Sequence, residues 1–334
     1  MFDGVAWSTV IMEQGCRDGG SSKSSGVTGT RARSVNIRPV RNQHTVTKSV
    51  LKGFAGPSGT LAVYNAEHRV RQLKSPGAGI FTTRFDTYDS RGAEERWNGL
   101  ETNFPPALVK VRARTALGDP ATVSALKDLL ALHWSRSRAI MISRDDAART
   151  VLTESMRDIW THPGVLRKAL RDKTGLEAAG WSELEWINAT VHDQVFTANA
   201  PLWHSRKDVD NYNQARAHFE KSNLVLGFTD TRDLVICDSP VITTRKGMAG
   251  TGPHQGIALF DADHIAMPIT PNVMLALGPK AEVVTLSDEI VEEYNRLQWL
   301  AHHGWVAARP GGVGDSTIGL RVQLEGCSNT NTSP

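Results

Sequence analysis

Apolar positions recur along this chain with two different periods. Val46, Val50, Leu51 and Phe54 follow helical spacing, with Gly53 placed for a helix terminus. Leu61-Ala62-Val63-Tyr64 reads as a strand, Asn65–His68 as its turn, and Ile80-Phe81-Thr82-Thr83 as another short strand. The middle of the chain is helical. Trp97, Leu100, Phe104, Leu108 and Val111 share one stripe, which Pro105-Pro106 should kink or restart. Asp119-Pro120 is a helix start, with Asp as N-cap and Pro at the first position, and Val123, Leu126, Leu130, Trp134 and Met141 continue the inner face. Ser143–Asp146 and Ser182–Glu185 have capping-box spacing ahead of further apolar positions.

The sheet-rich part comes late, over Leu224–Gly278. Two apolar runs, Leu224–Phe228 and Leu234–Cys237, flank the polar turn Thr229–Asp233, a pattern that predicts a hairpin. Ile257–Phe260 and Val273–Leu277 are further strand candidates, with breaks expected at Pro268 and Pro271. Ser287 caps a closing helix, with Leu286 and Val291 placed for a hydrophobic staple. Helices and strands segregated in this way predict an α+β fold, a helical bundle packed on a small, mostly antiparallel sheet with flexible N- and C-terminal tails. The expected division is a disordered basic Ser/Gly-rich tail at 1–39, a single α+β domain at 40–310 and a C-terminal tail at 311–334, where Ile318–Leu324 suits a short strand.

Composition changes the picture at one place. The chain has 334 residues, of which 40% are hydrophobic, enough for a full core. It carries neither an eighteen-residue apolar run nor a basic-then-apolar leader, so no membrane contact is expected and the cytoplasm is the expected compartment. Cys16, Cys237 and Cys327 are scattered, which suggests neither a disulfide framework nor a zinc site. The formal charge of +3 is unevenly distributed: Gly19–Ala66 holds no Asp or Glu but includes Lys23, Arg31, Arg33, Arg38, Arg41, Lys48 and Lys52. Arg31, Arg33, Arg38, Arg41 and Lys48 are therefore the candidate phosphate contacts, and a nucleic acid or nucleotide the candidate partner.

The common catalytic motifs are missing. There is no phosphate-binding glycine loop, no paired-His helix and no nucleophile elbow, and Gly247–Gly256 reads as a loop near Asp238. No cofactor is expected. No metal is assigned, because His162-Pro163, His192-Asp193 and His302-His303 lack ligand spacing and His133 lies on an apolar face. A carboxylate at the end of a buried strand needs a partner, which singles out Asp238 in Cys237-Asp238-Ser239-Pro240. Its own turn can supply that partner. Arg136 and Arg138 flank Ser137 and need an anionic partner, for which Glu101 is the natural candidate.

Gln43-His44-Thr45-Val46-Thr47-Lys48, followed by Leu51 and Phe54-Ala55, resembles the opening motif of the domain-of-unknown-function family DUF4238. Ile236-Cys237-Asp238-Ser239-Pro240-Val241 is similar to its second motif, and Met267-Pro268-Ile269-Thr270-Pro271 to a later element. Leu100-Glu101 sits where the family's helix carries a Glu. Thr45 and Thr47 replace the family's Tyr and Pro, and Ser239 its Asn. The resemblance groups His44, Glu101, Arg136 and Asp238 but implies no reaction. One reading is a hydrolase or transferase at phosphate esters, nuclease-like or a defence effector, with His44 as acid or base, Asp238 orienting it and an arginine stabilising negative charge. The other is a binding or structural module in which the same four residues form a buried network and the basic arm meets an acidic partner. Oligomeric state is left open.

Overall fold

A computed structural model of the chain describes residues 39–40, 44–82, 87–88, 93–160, five positions between 164 and 172, 208–246 and 257–328. The arm arginines Arg31, Arg33, Arg38 and Arg41, the Gly247–Gly256 loop and the Ser182–Glu185 capping box lie outside the described residues.

Two main sheets share the core. The four-stranded one runs β3 (Val70–Lys74), β2 (Leu61–Asn65), β11 (Trp305–Ala308), β6 (Ile236–Cys237), antiparallel throughout. The five-stranded one runs β10 (Glu282–Thr285), β5 (Asn223–Phe228), β9 (Val273–Gly278), β8 (His264–Thr270), β7 (Ile242–Thr244). It is antiparallel except where β10 lies parallel to β5. A small pair, β1 (Pro39–Val40) with β4 (Thr87–Tyr88), stands apart.

Strands β2, β11 and β6 of the four-stranded sheet are buried on both faces, which explains their unbroken apolar runs, while the edge strand β3 is half-exposed. Leu61, Val63, Trp305, Ala307 and Ile236 point into the main core. There they meet α1 (Lys48–Phe54), α2 (Ala93–Arg112) and α3 (Pro120–Ser135). Tyr64, Val306, Ala308 and Cys237 alternate to the other face. That face is covered by α6 (Asp288–Ala301) and α7 (Val313–Ser328) through Leu297, Trp299, Ala301 and Ile318. The five-stranded sheet likewise presents Leu226, Met267, Ile269 and Leu275 to the helices. Its reverse face carries Ala266 and Met274 against Leu286 and Val291 at the start of α6, the pair expected to act as a staple. Leu286 lies so close to β5 that a Cβ on Gly227 would stand 2.6 Å from its Cδ2.

The α+β class predicted from segregated elements is the one observed, and several local expectations change. Leu224–Phe228 and Leu234–Cys237 do not form a hairpin. β5 pairs with β9 and β10, and β6 crosses to the other sheet beside β11. The turn between them is held elsewhere: Leu234 N donates to Pro271 O at 2.6 Å, and Asp233 is bound by Arg309. Pro268 lies within β8 at a register shift against β9, where a missing N–H is tolerated. The strand candidate Ile257–Phe260 is not a strand, since Leu259 and Phe260 open a 3-10 turn at Leu259–Asp261, and Ile80–Phe81 belongs to another at Gly79–Phe81. α2 runs through both Pro105 and Pro106. The capping-box residues Ser143 and Asp146 lie inside α4 (Arg138–Trp160). Residues 313–328, expected within a tail with a short strand, form α7, which buries Ile318 and ties Asp315 to Arg71 at 2.5 and 2.7 Å. A helix over residues 208–219, here α5, ties back to α3 through Tyr212 and Arg216, both hydrogen-bonded to Asp128.

β6 is an edge strand, and side chains of α6 close its edge. Asn295 accepts from Val235 N and donates to Asp233 O. Gln298, fully buried, accepts from Cys237 N and donates to Pro240 O. These amides satisfy backbone groups that would otherwise be orphaned in an apolar layer.

Candidate functional site

The segment Arg136-Ser137-Arg138 joins α3 to α4, and the two arginines reach into separate polar clusters. Arg136 is 6% exposed. Its Nη2 donates to the His44 carbonyl at 2.7 Å, and its Nη1 to Glu101 Oε1 at 3.3 Å. His44, Glu101 and Arg136 thus form one unit where α1, α2 and α3 meet, with the Glu–Arg bridge that the sequence suggests. His133 completes the joint: its Nε2 accepts from Thr47 N at 3.1 Å, and its Nδ1 faces the Leu129 carbonyl at 2.8 Å. It is a core histidine satisfied at both ring nitrogens, and burial lowers its pKa to about 4.

The His44 ring is half-buried. Burial, then the nearby positive charge of Lys48 and Arg136, lowers its pKa, while a hydrogen bond to the Pro76 carbonyl pulls it back up. The imidazole is therefore neutral near pH 7, and its Nε2 has no hydrogen-bond partner among the described residues.

Asp238 lies in the second cluster. It is fully buried. Its Oδ1 accepts from His303 N at 2.9 Å and its Oδ2 from Gly304 N at 2.6 Å, both in the turn between α6 and β11. Its own carbonyl accepts from Arg138 N at 3.1 Å. A Cβ on Gly304 would stand 2.9 Å from Arg138 Nη1 and 3.0 Å from Asp238 Oδ2, so Gly304 leaves room for a guanidinium beside the carboxylate. Burial pushes the Asp238 pKa up, and the His303 N–H, the Arg138 guanidinium and the Gly304 N–H oppose that rise. Ser239 Oγ accepts from Ala139 N at 3.1 Å, so the same turn also caps α4. Burial holds the neighbouring Cys237 thiol well above its usual range, which disfavours the nucleophilic thiolate.

Asp238 therefore does not hydrogen-bond the His44 imidazole. His44, Glu101 and Arg136 come together, while Asp238 lies in a different cluster, connected to them along the Arg136-Ser137-Arg138 backbone.

Beside the first cluster, a cleft of about 730 Å³ opens between α1 and α2. Lys48 and Lys52 from α1 and Arg112 from α2 line it, together with Asn98, Glu101 and Thr102. The three cations are exposed, and none forms an ion pair with a described residue. Of these, the sequence put Lys48 forward as a candidate phosphate contact. It counted Lys52 among the arm cations without singling it out and did not raise Arg112, although Lys48 and Lys52 stand at i and i+4 and share a helix face. Among the described residues, no group of His, Cys, Asp and Glu is arranged to hold a metal ion, and no helix is long and apolar enough to cross a membrane.

Fold and site together define an α+β protein with a cationic cleft between two helices, braced by buried polar bonds. The chain belongs to the family described as Protein of unknown function (DUF4238), whose model matches residues 42–311, more than half of its length. No curated protein and no solved structure matches it.

Proposed function

We propose that this protein binds a phosphate-bearing ligand in the α1–α2 cleft, that His44, Glu101 and Arg136 brace the cleft instead of carrying out chemistry, and that Asp238 is a structural anchor for the start of α4. The observation that carries this reading is the contrast between the two sets of charges. Lys48, Lys52 and Arg112 are exposed around one concavity without a carboxylate partner among the described residues, while Asp238 is sealed with both oxygens engaged. Cations gathered on a concave wall focus positive potential, and the arginine fork suits a phosphate group bidentately. The compartment in this reading is the cytoplasm. Arg31, Arg33, Arg38 and Arg41 add sequence-independent affinity for an acidic partner.

The test is calorimetric titration with phosphate-bearing ligands at low and moderate salt. Binding should weaken with salt, and Lys52→Glu with Arg112→Glu should lower affinity by about a hundredfold, or roughly 3 kcal/mol. Binding that ignores both substitutions would sink the reading.

One observation favours a second reading, hydrolysis or transfer at a phosphate ester with His44 as general base. The neutral ring holds a buried nitrogen without a partner among the described residues, and it feels the charge of Lys48, which lines the cleft. In that case His44→Gln abolishes turnover of a phosphate mono- or diester while leaving ligand affinity in place.

A further inference from the structure

We infer that the occupant of the cleft is a small polyphosphate, a nucleoside di- or triphosphate, and not a nucleic-acid strand; the inference rests on the reading of the cleft as a phosphate site. Four features of the cleft point this way.

The first is size. A concavity of about 730 Å³ falls within the range that encloses one small molecule, roughly 300–1,000 Å³. A strand-binding groove instead tracks a backbone across several nucleotides. The second is charge density. Lys48 and Lys52 are one helical turn apart, about 6 Å along α1, and Arg112 faces the same space from α2. Three cations without an ion-pair partner among the described residues, lining one cleft, match a ligand that concentrates several negative charges, as linked phosphates do. A single phosphodiester brings one charge.

The third feature is the absence of a stacking platform. Phe104 is the aromatic residue lining the cleft, and it is 1% exposed, its ring turned into the core. Single-strand binders draw much of their affinity from bases stacked on exposed aromatic rings, and among the described residues this wall offers none. The fourth is Glu101. Arg136 fixes it at the wall, where it is 29% exposed. A carboxylate there repels a continuous phosphate chain passing through. It suits a ligand with an uncharged end instead, since it accepts hydrogen bonds from sugar hydroxyls while Asn98 and Thr102 beside it add amide and hydroxyl groups. Glu101 and Arg112 stand eleven residues apart on α2, about 16 Å along the helix, so the carboxylate and this cation lie towards different ends of the wall. A nucleotide has the same asymmetry.

The experiment is calorimetric titration of the full chain with pyrophosphate, ADP, AMP and a short single-stranded oligothymidylate, with wild type, Lys52→Gln, Arg112→Gln and Glu101→Gln. All three positions reach solvent, and urea midpoints check that each variant is folded. ADP and pyrophosphate should bind at least about tenfold more tightly than AMP. Lys52→Gln and Arg112→Gln should each weaken both by about tenfold, and Glu101→Gln should weaken ADP while leaving pyrophosphate unchanged. If the oligothymidylate binds more tightly than ADP and the same cation substitutions abolish it, the small-ligand inference is overturned and the phosphate cleft survives. If pyrophosphate alone binds, with ADP no better than AMP, the nucleotide assignment is overturned in favour of an inorganic polyphosphate. If none of the four binds, or Lys52 and Arg112 have no effect, the phosphate reading falls with it.

Discussion

Acid should loosen the joint between α1 and α3 through a single imidazole. His133 is 1% exposed. Its Nδ1 donates to the Leu129 carbonyl, and its Nε2 accepts the Thr47 N–H, so the neutral ring is satisfied on both sides. A second proton would have to sit on Nε2, facing a donor in place of an acceptor. Burial lowers the pKa from 6.5 to about 4 accordingly. Between those two values the unfolded chain holds a proton that the folded chain refuses, so stability rises with pH across the window. This stabilisation is complete above the unfolded value of about 6.5 and disappears as pH falls through about 4. A gap of roughly 2.5 pH units, at about 1.4 kcal/mol each, amounts to roughly 3 kcal/mol. Urea midpoints measured in steps from pH 7 to pH 4, for wild type and His133→Gln, isolate this contribution. Glutamine keeps one donor and one acceptor at the position but does not titrate, and the carboxylates common to both proteins cancel in the difference. The wild type's advantage should shrink by about 3 kcal/mol on acidification. A difference that stays level from pH 7 to pH 4 would refute the claim that the fold holds His133 neutral.

Two further outcomes follow from the Asp238 cluster. Asp238→Asn places an amide nitrogen against a backbone N–H and deprives Arg138 of its counter-charge, so the urea midpoint should fall by the equivalent of about 3 kcal/mol. Affinity at the α1–α2 cleft should be retained in the remaining folded protein; lost binding with unchanged stability would assign Asp238 a direct functional role. Gly304→Ala drives a methyl group between Arg138 and Asp238 and should cost about 1–3 kcal/mol by the same assay, whereas a neutral effect would show that the two groups are not held together.

Local patterns were legible wherever one element determined them. Asp119 caps α3 by accepting from Thr122 N, with Pro120 at the first position, as Asp-Pro before an apolar stripe implies. Asn65 closes its turn by accepting from Glu67 N and His68 N. Pairing was less legible, because partners are chosen by the other face of each strand. Leu234–Cys237 has the composition of a hairpin arm, yet Asn295 and Gln298, roughly sixty residues on, hold it at the edge of a different sheet. Glu101 and Arg136 could be matched by charge, since each needed a partner and few were on offer. The separation of His44 from Asp238 had no such signal. Two arginines two residues apart suggested one site, and only the turn between α3 and α4 sends them to different clusters.

The family's matched segment closes at residue 311, and α7 begins just beyond it, at Val313. That helix nonetheless shields Tyr64, Val235, Val306 and Ala308 through Ile318, and it clasps strand β3 through Asp315. Trimming the gene to the family limit would strip a greasy sheet bare and give material prone to clump during purification. Anyone preparing the protein for crystals should leave the reading frame intact through Ser328.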